Sequence, residues 1–174
     1  MLVASSTLRG GIPRFVAEVL CIVEIPKGSR NKYEWSPKHK RFLLDRFLSS
    51  STVFPTDYGF IPETAGEDGD PLDVLVAVSE PTFTGCGVLG RPVAVLWLRD
   101  QYKREPKVVC VPLSDPNWET ITDLEELPAQ LREEIGHFFV SYKRREGHEV
   151  GEEGWEGAAA AERAIEEARR RAQD

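Results

Sequence analysis

The feature that most constrains this chain is a change of period. Through residues 14–113 it repeats short runs of Val, Ile, Leu and aromatic residues, each closed by Gly, Pro, Ser or Asp. After about residue 125 the apolar residues recur at helical spacing instead. Short β-branched runs bounded by turn residues read as strands. "RFVAEVLCIVEIP" (14–26) is one strand, and "KGSRNKYEWS" is a turn followed by a second from about Lys32. "RFLLDRFL" is a third, "PLDVLVAVSEP" becomes a strand at Val74, "GCGVLGRPVAVLWLRD" gives two segments broken by Gly and Pro, and "PKVVCVPL" is another. Many short strands at regular spacing predict a closed or partly closed barrel.

The helical part starts with "LPAQLREEIGHFFVSYKRREG". There Leu131, Ile135, Phe138, Phe139 and Tyr142 share one helix face, with Pro128 near the first turn and Gly147 as the stop. "AAAAERAIEEARRRAQD" is a second helix, with a thin alanine packing face and a solvated charged face. Between them "EVGEEGWEG" reads as a bend. The predicted class is α+β: a β-barrel over about 14–113 with α-helices over about 125–173, all one domain of 174 residues.

Composition narrows the function. The net charge of −7 argues against a general nucleic-acid binder, which needs a basic face. A few focused Lys and Arg residues still suffice for a small anion. No apolar stretch is long enough to predict a membrane span, and the opening residues lack a basic leader followed by an apolar run. Cys21, Cys86 and Cys110 are odd in number and far apart in apolar runs, so they are expected to be buried free thiols in a reducing, cytoplasmic setting.

The chemistry concentrates in "FPTDYGFIPETAGEDGDPLDVLVAV" (54–78). It carries Asp57, Glu63, Glu67, Asp68, Asp70 and Asp73 and no Lys, Arg or His. Asp68, Asp70 and Asp73 in "DGDPLD" repel one another unless a cation sits among them. Carboxylate oxygens are hard donors that suit Mg²⁺, Mn²⁺ or Ca²⁺. Gly69 permits a tight turn, Pro71 stiffens the loop, and Asp73 stands at the root of a strand. A solvated turn with Asp at favoured positions is the plain alternative. The EF-hand frame is absent, as are Walker, zinc-finger and zinc-protease patterns.

A carboxylate metal cluster hydrolyses phosphate esters or anhydrides when cationic groups clamp the phosphates. Candidates for that clamp are scattered: Lys32 and Glu34 in "NKYEW", Arg46 in "LLDRF", Tyr58 in "DYGF", Lys107 in "PKVV", and Tyr142 and Lys143 in "FFVSYKRRE". Taken singly, each also reads as a solvated or packing residue. Arg46, flanked by Leu43, Leu44 and Phe47, is expected to be paired or functional.

Taken in order, "VEIPKGSRNKYE", "LDRF", "FPTDYGFIP", "DGDPLDVLV", "RPVAVL", "IGHFFVSYK" and "EGWEG" resemble the soluble family I inorganic pyrophosphatases over roughly 16–157. The resemblance implies a five-stranded OB-like barrel with flanking helices. It implies hydrolysis of pyrophosphate to two orthophosphates with several Mg²⁺ ions. By the same resemblance Asp68 and Asp73 ligate metal, with Asp73 shared between two ions, and Asp100 ligates further Mg²⁺. Asp70 is the general base. Lys32, Arg46, Tyr142 and Lys143 grip phosphate oxygens, Tyr58 and Lys107 line the site, and Glu24 and Glu34 orient metal-bound waters. A homohexamer is implied too, with His137 at a subunit contact.

The chain departs from that pattern in two places. Where the family has D-E-x-G-x-D-x-K, this sequence reads "DQYKREPK". Asp100 and Lys107 are kept, but the second Asp, a metal ligand, is Glu105, and Lys103 and Arg104 bring positive charge beside it. Glu is one methylene longer, and Mg²⁺ demands near-ideal octahedral geometry at about 2.0–2.1 Å. Phe54 stands where many relatives have Tyr. The expectation is a working pyrophosphatase, with slower turnover or a shifted metal preference as consequences of Glu105. The alternative is a non-catalytic phosphate- or metal-binding relative disabled at Glu105.

Overall fold

The computed structural model describes residues 18–49, 51–100, 103–145, 147 and 149–174, with the Asp100 side chain outside that description. The strands are β1 (Val19–Ile25), β2 (Asn31–Ser36), β3 (Arg41–Phe47), β4 (Asp57–Ile61), β5 (Leu72–Val76), β6 (Gly87–Asp100), β7 (Arg104–Pro112) and β8 (Val150–Gly157). The helices are α1 (Ala129–Arg145) and α2 (Ala158–Arg171). The main sheet runs β1-β4-β5-β7-β6-β8, and β6 also pairs with β1. That extra pairing closes β1, β4, β5, β7 and β6 into a five-stranded ring, the predicted barrel. β8 is appended on β6, and β2 with β3 forms a separate hairpin.

Alternation along the ring strands sorts side chains into two cores. Val19, Cys21, Val23, Ile61, Val74, Val76, Val108 and Cys110 come from four of the ring strands and meet Val88 and Val95 of β6. This is the barrel interior, and Ala161, Ile165 and Ala168 of α2 join it. The opposite faces carry Leu75, Leu96, Leu98, Val109 and Val111, which pack with Ile135, Phe138, Phe139 and Tyr142 of α1. The predicted apolar face of α1 is therefore spent on the barrel.

Several expectations need correction. "GCGVLGRPVAVLWLRD" is one strand rather than two, because a register shift between Pro92 and Ala94 absorbs the proline without ending the ladder. "EVGEEGWEG" is a strand rather than a bend, since β6 offers it an edge to pair with. "DYGFI", too short to mark itself as a strand, is β4. Its Gly59 is required by close approach: a Cβ there would lie 1.8 Å from the Ile22 carbonyl oxygen. Cys21 and Cys110 are buried free thiols, but Cys86 is only half-buried. β3 is a strand as expected, and its Leu43, Leu44 and Phe47 are all exposed. The predicted strand start at 14–17 lies outside the described residues.

Candidate active site

The two-residue period of β5 and β7 builds the floor of the site. Asp73 shares a face with Leu75, and Glu105 and Lys107 share a face with Val109 and Val111. The apolar ends of these faces enter the α1 core, and the polar ends open onto a cavity. Parallel pairing in the register Val74–Val108 sets Asp73 beside Lys107. The Lys107 ammonium pairs with Asp73 and lies 2.8 Å from Glu105, while Lys143 of α1 is 3.5 Å from the other Glu105 oxygen. Lys107 is only 2% exposed. Burial alone would lower its pKa, but the two carboxylates outweigh burial and raise it. Burial likewise works to raise Glu105, and Lys107, Lys143 and Lys103 hold it below the usual carboxylate range.

The rest of the wall comes from other elements. β4 turns Tyr58 and Phe60 outward onto the cavity. The Tyr58 hydroxyl bonds Asp73, and burial with the nearby Asp73 charge pushes its pKa well up. Glu24 of β1 accepts the Trp35 N–H at 2.8 Å. Its pKa is raised to about 7 by burial, against that hydrogen bond, with Asp73 and Glu34 adding negative charge nearby. From the hairpin, Lys32 pairs with Glu34 and lies 3.3 Å from Asp45. Arg46 pairs with Asp45 and donates to the Tyr142 hydroxyl at 2.6 Å, its guanidinium 5.8 Å from the centre of that ring. Asp45, in the "LDRF" motif, is the shared counter-ion that sequence reasoning missed; an acid beside Arg46 was its only signal.

The acidic loop is pinned at both ends. Thr64 is buried, and its hydroxyl donates to the Ile61 carbonyl and accepts the Leu72 N–H. Ala65 N–H donates to the Ala168 carbonyl of α2 at 2.9 Å, and Gly66 N–H to Asp70 O at 2.7 Å. Gly69 turns at φ +86°, where a side chain would be strained. The Asp70 N–H donates to Asp68 Oδ1 at 3.2 Å. Asp70 itself is exposed on the cavity rim.

One cavity of about 460 Å³ thus gathers Glu24, Glu34, Asp70, Asp73 and Glu105 against Lys32, Arg46, Lys107 and Lys143, with Tyr58 and Tyr142 beside them. Phe54, Phe139 and Tyr33 also line it. Phe54 packs on Phe138 with ring centres 4.6 Å apart and is 2% exposed, so it serves the core as well as the cavity. Asp68 faces an adjoining cavity instead. Asp100 ends β6, and its side chain lies outside the described residues.

Not every acid of 54–78 belongs to this site. Asp57 is fully buried and accepts Lys27 N–H at 2.7 Å, Thr82 N–H at 3.1 Å and Thr82 Oγ1 at 2.5 Å, tying three segments together. Among the described residues no three acids, His or Cys converge on one ready cation position. Two of the carboxylates are instead paired with ammonium groups: Asp68 with Lys103 and Asp73 with Lys107. The donor set still fits a hard divalent cation, because every candidate ligand is a carboxylate oxygen and the set is only partly buried.

The sequence matches the family described as inorganic pyrophosphatase across residues 21–173. An inorganic pyrophosphatase of Methanosarcina acetivorans is 51% identical over 150 residues, which is 86% of this chain and 89% of that one. One of Leifsonia xyli subsp. xyli is 47% identical over 146 residues, 83% of this chain and 90% of that one. Among solved structures, the crystal structure of inorganic pyrophosphatase from Thermus thermophilus matches with a TM-score of 0.87 at 36% identity, covering 97% of this chain and 98% of that one.

Proposed function

Because the chain belongs to the inorganic pyrophosphatase family, we propose that the cavity between the barrel and α1 is where it hydrolyses inorganic pyrophosphate to two orthophosphates. The activity is that of a hydrolase acting on a phosphoric anhydride, and it depends on divalent metal. The observation that carries the assignment to this cavity is the meeting of carboxylates and cations from several elements around one space. The alternative of a non-catalytic relative is not favoured, since Asp70, Arg46, Tyr142 and Lys143 all line the same space.

In this reading Asp68, Asp73, Asp100 and Glu105 would hold Mg²⁺, several ions to a site, or Mn²⁺ in its place; such ions would supply charge neutralisation at the phosphates and a lowered pKa for the attacking water. Asp70 takes the proton from that water; its position on the open rim leaves it accessible to solvent. Water oxygen joins one phosphorus as the bridging P–O bond breaks, and the second orthophosphate leaves. Arg46 offers a planar fork suited to two phosphate oxygens, and Lys32 and Lys143 act as point charges. The Tyr142 hydroxyl, already held by Arg46, adds a donor. Lys107 and Tyr58 keep Asp73 in place from two sides. Glu24 and Glu34 orient waters at the edge of the cavity. Glu105 spans its extra methylene with its carboxylate held by Lys107 and Lys143.

The whole chain acts as one domain in this proposal, and by family analogy it assembles as a homohexamer. His137 lies on the exposed side of α1, away from the barrel, as a subunit contact requires. A monomer by light scattering removes that part of the reading. The activity is tested by orthophosphate release from pyrophosphate with Mg²⁺ and then Mn²⁺. Metal-dependent turnover is expected; silence with both ions from folded protein overturns the proposal.

A further inference from the structure

A second cavity of about 320 Å³ lies behind the acidic loop and shares Asp70, Pro71, Asp73 and Glu105 with the first. Asp68 opens onto it, and so do Lys103 and Arg104. The two bases behave differently. Arg104 lies 3.8 Å from the centre of the Trp97 ring, and its Nε is 2.6 Å from Glu153 on β8. Its charge is thus matched on the far side of the β6–β7 hairpin. Lys103, one residue before β7, reaches the other way, and its Nζ is 2.7 Å from Asp68 Oδ2. With the Asp70 N–H on Oδ1, both oxygens of Asp68 are engaged by donors of the chain itself.

We propose that Lys103 is an internal competitor for the divalent cation at Asp68, raising the free cation concentration this chain needs to fill that position. The proposal rests on the reading of Asp68 as a metal ligand. An ammonium and a hard cation compete for the same carboxylate oxygen. The pair is reachable, since the Lys103 and Asp68 side chains are 35% and 42% exposed. The contact a cation would contest is the one between Lys103 and Asp68, separate from the aromatic stack and the β8 acid that hold Arg104.

The test is Mn²⁺ binding by calorimetry, without pyrophosphate, to the full chain and to five variants. Lys103→Gln is expected to tighten binding by about two- to fivefold, the range set by a partly exposed ion pair. Lys103→Arg keeps the charge and the wild-type affinity. Arg104→Gln, which removes an equal charge next door, leaves affinity unchanged. Asp68→Asn weakens binding, and in that background Lys103→Gln brings no gain. Equal tightening by Lys103→Gln and Arg104→Gln would show a general charge effect and overturn the proposal. So would an unchanged Lys103→Gln, or a gain that survives in Asp68→Asn. Failure of the metal reading itself has a separate signature: if Asp68→Asn binds Mn²⁺ as wild type does, or no protein binds it, Asp68 is not a ligand and the proposal falls with that reading.

Discussion

Lys107 and Asp73 each stand one residue before the Val74–Val108 register pair of two parallel strands, and their side chains form an ion pair in which the lysine is almost sealed from water. Glu105 approaches the same ammonium from two residues up β7. Lys107→Met leaves two partly buried carboxylates facing one another. Without metal, unfolding free energy is expected to fall by about 2–4 kcal/mol, somewhat under the range for a fully buried pair because both acids retain some exposure. Added Mg²⁺ should recover part of the loss. Urea denaturation with and without Mg²⁺ measures both effects, and a variant as stable as wild type in chelator contradicts the account.

Asp70 is exposed and its backbone N–H, not its side chain, holds Asp68, so Asp70→Asn should leave stability within about 0.5 kcal/mol of wild type. If Asp70 is the base, orthophosphate release should drop by about 10²- to 10⁴-fold. Wild-type turnover from this variant would place the base elsewhere.

Arg46 and Tyr142 can be separated by kinetics. Tyr142→Phe removes one hydroxyl and should lower kcat/KM by about two- to tenfold, as for a single hydrogen bond. Arg46→Lys keeps the charge but loses the fork and the contact with the Tyr142 ring, and should cost about ten- to a hundredfold. A smaller loss from Arg46→Lys than from Tyr142→Phe contradicts the phosphate-gripping role.

Glu24 sets a pH dependence in the metal-free protein. Its folded pKa of about 7 lies above its unfolded value, so the folded state binds the extra proton between the two. Its contribution to stability is full below the unfolded pKa and is lost as pH rises through about 7. The loss is on the order of 2–3 kcal/mol. Denaturation in chelator at about pH 5 and about pH 8 should show this decline in wild type and a flatter profile in Glu24→Gln. Parallel profiles contradict it.

Much of the architecture was legible in local pattern, and the misreadings have a common cause. β1, β5 and β7 carry enough β-branched residues to be read alone. β8 has only Val150 and Trp155 as large apolar residues among Gly and Glu, and it is a strand because β6 supplies a partner edge. β6 looked broken at Pro92 because a lost N–H is costly inside a ladder, yet a bulge at that point removes the need for it. β4 was hidden by its brevity and by Gly59, which is there for close packing on β1.

The site divides along the same line. The sequence alone determined which residue types are available: hard carboxylate donors in "DGDPLD", a fork at Arg46, a phenol and an ammonium in "FFVSYK", and the resemblance that groups them. It also determined the period change that separates barrel from helices. Only the tertiary structure decided which charges meet. It took Asp57 out of the acidic set and made it a buried tie, and it brought Asp45 in as a counter-ion. It seated Lys107 between Asp73 and Glu105 and turned Lys103 onto Asp68. The physical reason is range. Periodicity and turn chemistry act between near neighbours in the chain, whereas an ion pair forms between groups a few ångströms apart in space, here some 35 residues apart in sequence.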